Sequence, residues 1–298
     1  MRHTASTCVA LVALLVALLS CGSSPKSAVA NDIGTPPFIP ASAGWLQSVN
    51  YFRSIAGLGP VTEDPNLDAA ATAHACYMVL NDITHEEDPA KPGYTTAGAE
   101  AGSHSNVAVS SRIDASDRSF VELWMTGPYH AVGVLRPGLH SVGFGRCDRT
   151  DTPKWRSGAT LNVLDGLGEA YVPPAQPILF PGNGTTTNLN RFLVESPDPL
   201  EACQWTGGAG LPVLAMMPES TVGATGTITG SDGPLETCVV SAANTTGVAN
   251  QILAGDHVVV VIPRAPLRDG RYEVTVHTDA RDVTWSFTVD QTAADGPS

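Results

Sequence analysis

Apolar residues recur with a helical period in the first half of this 298-residue chain and with a strand period in the second. That switch constrains the fold strongly, because a given spacing gathers its apolar side chains on one face only in the matching secondary structure. Trp45, Val49, Phe52 and Ile55 fall at helical spacing and are followed by Gly57, which predicts a helix over 45–56. A second helix is predicted from Asp64 to about Asn81. There Asp64 can cap free amides, Pro65 suits a first turn, and Leu67, Ala71, His74, Ala75 and Met78 lie in the buried stripe. A third runs from about Ala115 to Met125, and Gly127-Pro128 stops it. Residues 97–111, rich in Gly, Ala and Ser, read as irregular, and strands are predicted over 141–147 and 159–164. Helices followed by strands give an α+β first domain over 45–172.

Pro173, Pro174, Pro177 and Pro181 mark a linker over 173–190. Beyond it, short β-rich runs are separated by Gly, Pro and Asp, at 213–217, 223–229, 236–241, 257–262, 271–277 and 283–289. Tyr272, Val274 and Val276, then Val283, Trp285, Phe287 and Val289, alternate strictly. Such spacing predicts an all-β sandwich over 191–290, with a short tail at 291–298.

The amino terminus reads as an address. Arg2 is followed by an apolar run from Val9 to Leu19, too short to span a bilayer and suited to a signal peptide. Leu18-Leu19-Ser20-Cys21 resembles a bacterial lipobox, which implies a signal peptide over 1–21 and a lipid anchor on Cys21. Cleavage of an ordinary leader near Ala28-Val29-Ala30 is the alternative. Residues 22–44 are small and polar at first and proline-stiffened later, and read as a tether. The expected location is therefore extracytoplasmic, with the membrane as a partner through Cys21.

With Cys8 in the leader and Cys21 lipidated, Cys76, Cys147, Cys203 and Cys238 remain. Four cysteines in an exported chain point to disulfides, and proximity within each domain favours Cys76–Cys147 with Cys203–Cys238. Loops of those lengths would each be worth about 4 kcal/mol in the chain-entropy account. With 16 basic against 29 acidic residues the net charge is −13, which argues against nucleic acid as a partner.

The first domain is similar to the CAP superfamily, the cysteine-rich secretory, antigen-five and pathogenesis-related group. The resemblance rests on Asn50-Tyr51-Phe52-Arg53 with Gly57-Leu58-Gly59-Pro60, on Leu67 with Ala71–Met78, on His85, on Trp124–His130, and on Val142-Gly143-Phe144-Gly145. It implies an α/β/α sandwich whose cleft gathers two histidines, here His85 and His130, and two acidic residues. Both acidic positions depart from the pattern: Ser105 and Gly127 stand where the family places them. Glu100 and His104 lie nearby as substitutes. Pro266–Val274 with Trp285–Val289 resembles bacterial immunoglobulin-like modules, which implies an Ig-like sandwich.

Two imidazoles from distant segments can hold zinc or another divalent metal, with carboxylates orienting them. The incidental alternative leaves His85 in a solvated loop with Glu86, Glu87 and Asp88, and His130 closing the Pro128 turn. Without the two acids a proton-transfer mechanism has no evident base, so the expectation is a non-enzymatic module that binds an apolar small molecule or an envelope protein. The rival is a metal-dependent hydrolase or protease using His85 and His130. No G-x-S-x-G elbow, H-E-x-x-H helix, P-loop or G-x-G-x-x-G occurs, and only residue type supports a Ser105–His130 hydrolase.

Overall fold

Glycine at three strand positions lets one helix lie directly on a sheet, and the first half is built around that contact. In chain order its elements are α1 (Trp45–Ile55), β1 (Thr62–Glu63), α2 (Pro65–Leu80), α3 (Thr96–Ser103), β2 (Ser105–Ser110), α4 (Asp117–Thr126), α5 (Pro128–Leu135), β3 (Ser141–Asp148) and β4 (Ser157–Asn162). The computed structural model describes residues 39, 42–168 and 173–294. The leader with Cys21, the tether as far as residue 38 and the tail from 295 lie outside that range.

The strands form a sheet in the order β1-β3-β4-β2. A Cβ on Gly143 would stand 2.2 Å from Leu67 Cβ, one on Gly145 2.0 Å from the Thr72 amide, and one on Gly158 2.7 Å from the Ala75 carbonyl. Side chains at these positions would push α2 off the sheet. Between Gly143 and Gly145 the strand turns Phe144 to the opposite face, where it stacks on Trp45 of α1 at 5.1 Å. Trp124 of α4 donates its indole N–H to the Val107 carbonyl at 3.1 Å. The sheet thus lies between α2 and the layer containing α1 and α4. Cys76 of α2 is bonded to Cys147 of β3, as expected from the sequence.

Two sequence expectations for this half are corrected. Residues 97–111 are regular, forming α3 and β2. Their small residues serve close packing: a Cβ on Gly102 would meet the His74 ring at 2.3 Å. Thr95 caps α3, accepting from the Gly98 amide at 2.9 Å. Gly127-Pro128 does end α4, but Pro128 opens a further helix, α5, because proline fits a first helical turn.

The second half contains β5 (Ile178–Phe180), β6 (Thr186–Thr187), β7 (Val213–Met216), β8 (Thr225–Gly230), β9 (Gly233–Pro234), β10 (Thr237–Val240), α6 (Gly247–Gly255), β11 (Val258–Pro263), β12 (Gly270–His277) and β13 (Asp282–Val289). Two sheets result, β10-β11-β7-β5 and β6-β13-β12-β8-β9. They face one another where a Cβ on Gly226 of β8 would meet Val261 of β11 at 2.4 Å. Cys203 is bonded to Cys238 of β10. Helix α6, with Ala249 and Leu253 buried, interrupts what reads as uniformly strand-rich sequence.

Residues 173–190, read as a linker, hold β5 and β6, each at the edge of a sheet. Edge strands tolerate the flanking Pro177 and Pro181, which withhold no hydrogen bond the ladder needs. The two halves share one continuous apolar core. Phe52 packs edge-on against Phe180 at 6.0 Å, Asn188 donates to Glu122 at 2.9 Å, and Arg136 pairs with the buried Asp256 at 3.0 Å.

Arg53 of α1 is 2 % exposed. Its guanidinium donates to the carbonyls of Gly59, Val134, Arg136 and Leu139 at 2.9, 2.7, 3.0 and 3.3 Å. Burial lowers its pKa to about 10, which leaves it charged at neutral pH. Two of those carbonyls belong to the last turn and cap of α5, where a cation complements the helix dipole. Arg53→Met removes all of these donors while keeping much of the volume. We expect a loss of about 3 kcal/mol or more in urea unfolding, because buried carbonyls are left unpaired.

Candidate functional site

Helix α5 begins with a glycine N-cap that offers its amides no side chain. The missing acceptor arrives from 195. The Glu195 side chain is fully buried; its Oε1 accepts from the His130 amide at 2.8 Å, and its Oε2 from the Tyr129 amide at 3.2 Å. The same Oε1 lies 2.6 Å from His130 Nδ1. A carboxylate here accepts, so Nδ1 carries a proton, and in the neutral ring Nε2 then holds the lone pair.

His85 reaches the same place from the loop after α2. Its Nδ1 donates to the Gly102 carbonyl at 2.9 Å, which again leaves Nε2 unprotonated. Beneath it, His74 and Glu87 form a fully buried pair at 2.9 Å. His74 Nε2 donates to the Thr84 carbonyl at 2.9 Å, and Glu87 accepts from the Thr95 amide at 3.0 Å. Glu87 therefore anchors the loop carrying His85 and departs from the solvated-loop alternative, while His85, Glu86 and Asp88 are exposed as that alternative has them. His85 is exposed at the surface, with its Nδ1 side turned to the Gly102 carbonyl. Burial lowers its pKa from the ordinary 6.5; the Gly102 bond opposes that shift, while His130 and then His74 reinforce it.

His85 and His130 line two adjoining clefts. One, of about 390 Å³, is walled by Ile83, Val107, Val109, Leu123, Trp124 and Val194. The other, of about 490 Å³, runs past Tyr129, Val163, Leu164, Ser196, Val248 and Ile252. Ile83, Val194 and Val248 are exposed at the rims. The groove is thus apolar in its walls and polar where the histidines sit, and both halves of the chain contribute to it.

The other expected site residues are dispersed. Ser105 lines the second cleft, but its hydroxyl donates to the Ala101 carbonyl at 2.6 Å. His104 lines it too and pairs with Asp165 at 2.7 Å. Glu100 is exposed on α3 and lines neither cleft. Glu195 escaped the sequence reading because nothing in Leu193-Val194-Glu195-Ser196-Pro197 marks it; the only local signal is the uncapped Gly127 some seventy residues earlier.

A divalent metal fits this site only in part. His85 and His130 present the nitrogens a metal would use, yet among the described residues no three His, Cys, Asp or Glu stand together as ligands. Both Glu195 oxygens are engaged at the start of α5. A three-ligand protein cage is therefore not built.

Fold and site define a domain whose sheet lies between two helical layers, with a histidine-lined cleft, joined to a β-rich region. Residues 46–159 match the family CAP, Cysteine-rich secretory protein family, which supports membership of that superfamily for this part of the chain. No curated protein matches the chain. Among solved structures, similarity is found to PcoC, a methionine-rich copper resistance protein from Escherichia coli. It is 22% identical with a TM-score of 0.21, over 28% of this chain and 83% of PcoC. Its selenomethionine form is 25% identical with a TM-score of 0.19, over 26% and 82%. Scores this low transfer nothing to this chain.

The lowered basicity of His85 has a consequence for stability. The unfolded state takes up a proton near 6.5 while the folded state resists it, so stability is lost as pH falls below that value. Between pH 7.5 and 5.5 the urea midpoint should fall more for the unaltered protein than for His85→Gln.

Proposed function

We propose that this is an exported, lipid-anchored CAP-domain protein of the bacterial envelope whose cleft binds an apolar small molecule without turning it over. One observation carries the reading: an apolar groove of several hundred Å³ converges on two imidazoles held in defined tautomers. Sites for small ligands combine apolar walls with few fixed polar groups in this way. Support for the anchor comes from Leu18–Cys21, and for an extracytoplasmic setting from the two disulfides. Two facing sheets, and Tyr272, whose hydroxyl lies 2.9 Å from both the Arg268 amide and carbonyl, support an Ig-like reading of the second half.

The test is titration of the full chain with the neutral fluorescent probe N-phenyl-1-naphthylamine. Saturable binding with a micromolar dissociation constant is expected, at least about tenfold weaker in Val194→Glu, since burying a carboxylate against the ligand is unfavourable. Val194 is 64% exposed, so this change leaves the fold intact. Absence of saturable binding would overturn the reading.

Hydrolysis at the same pair is the second reading, favoured by Glu195. A buried carboxylate on Nδ1 leaves Nε2 of His130 as a proton acceptor in the cleft, the arrangement general-base catalysis needs. It requires turnover of short-chain nitrophenyl esters that disappears in His130→Ala; no turnover by the unaltered protein excludes it for that substrate class.

A further inference from the structure

Gly127 and Glu195 occupy one another's space. An ideal Cβ on Gly127 would lie 2.6 Å from Glu195 Oε1, 2.8 Å from its Cδ and 3.2 Å from its Cβ. The Gly127 backbone is ordinary extended chain, φ −103° and ψ 124°, so conformation does not demand glycine there. Space does: any side chain at 127 would displace the carboxylate.

Position 127 is also the N-cap of α5, where Asp, Asn or Ser would normally supply an oxygen to the amides of the first turn. In this chain that oxygen comes from Glu195, 65 residues beyond His130 and on the chain that follows β6. Glu195 sits at the positive end of the α5 dipole, where a carboxylate is favoured, with two donors on Oε1 and one on Oε2. A single oxygen serves both the backbone and the ring of His130, so capping the helix and orienting the imidazole are one event.

We propose that Glu195 is the displaced N-cap of α5 and the positioning residue that fixes the His130 tautomer, so that the second half of the chain completes the cleft. This deepens the binding reading above and rests on it only for the importance of His130, since the tautomer can be read without any ligand. It distinguishes the second half from a spacer: a spacer leaves His130 indifferent to residue 195.

The test is the tautomer itself, read from imidazole ¹⁵N shifts and two-bond couplings in the uniformly labelled full chain at pH 8. The unaltered protein should show His130 as the Nδ1–H form; an Nε2–H form would overturn the proposal at once. In Glu195→Ala the Nδ1–H form should become the minority at His130, while His85, held by the Gly102 carbonyl, keeps its own. An unchanged His130 in folded Glu195→Ala would equally overturn it. Gly127→Asp alone should be destabilised by steric and charge conflict with Glu195. The double variant Gly127→Asp, Glu195→Gly restores a carboxylate from the opposite side and should recover both stability and the Nδ1–H form. A double variant no better than the worse single variant would show that the two positions do not substitute for one another. Probe binding in the unaltered protein reports on the ligand reading separately.

Discussion

Helix α5 carries His130 and spans only Pro128–Leu135, too short to persist without help at its ends. Glu195 receives the amides of its first turn, and Arg53 donates to the Val134 and Arg136 carbonyls at its other end. A carboxylate at the positive pole and a guanidinium at the negative pole match the dipole in sign. Neither residue is near α5 in sequence. Arg53 ties it to α1 and Glu195 to the chain after β6, so the element bearing the histidine is held between the two halves of the molecule. The Arg136–Asp256 pair extends that hold to the end of α6.

A comparable logic governs the other side of the cleft. His85 lies on a loop, which by itself would fix no ring. The loop is anchored by the buried His74–Glu87 pair, and Glu87 also receives the Thr95 amide at the start of α3. Removing either partner from such a site strands the other without water, so the pair acts as an anchor even though buried ion pairs add little net stability. Gly102 closes the arrangement: its missing side chain admits the His74 ring, and its carbonyl takes the His85 proton. The site thus relies on two carboxylates, and each acts through geometry set by backbone amides.

With both Nδ1 atoms committed, the groove offers two imidazole Nε2 atoms amid apolar walls. That chemistry suits a ligand with one polar end and an apolar body. It leaves the carboxylates without free oxygens for a metal, which is why the two-histidine, two-acid pattern implied by the resemblance takes a different form here.

Much of this was legible beforehand. The helical stripes of α1, α2 and α4, the alternation of β12 and β13 and both disulfides follow from periodicity, cap residues and cysteine spacing, all of which are local or near-local signals, whereas His85 and His130 are singled out by the family resemblance. Regular structure at 97–111 was hidden because glycine and alanine needed for close packing have the composition of a loop. Strand β5 was hidden because edge strands accept the prolines that suggest a linker, and α5 because the proline that ends one helix can open the next. The role of Glu195 was decided by tertiary structure alone. A buried carboxylate is recognised by the donors around it, and its donors lie 65 and 66 residues away, across a packed core that local sequence patterns do not describe.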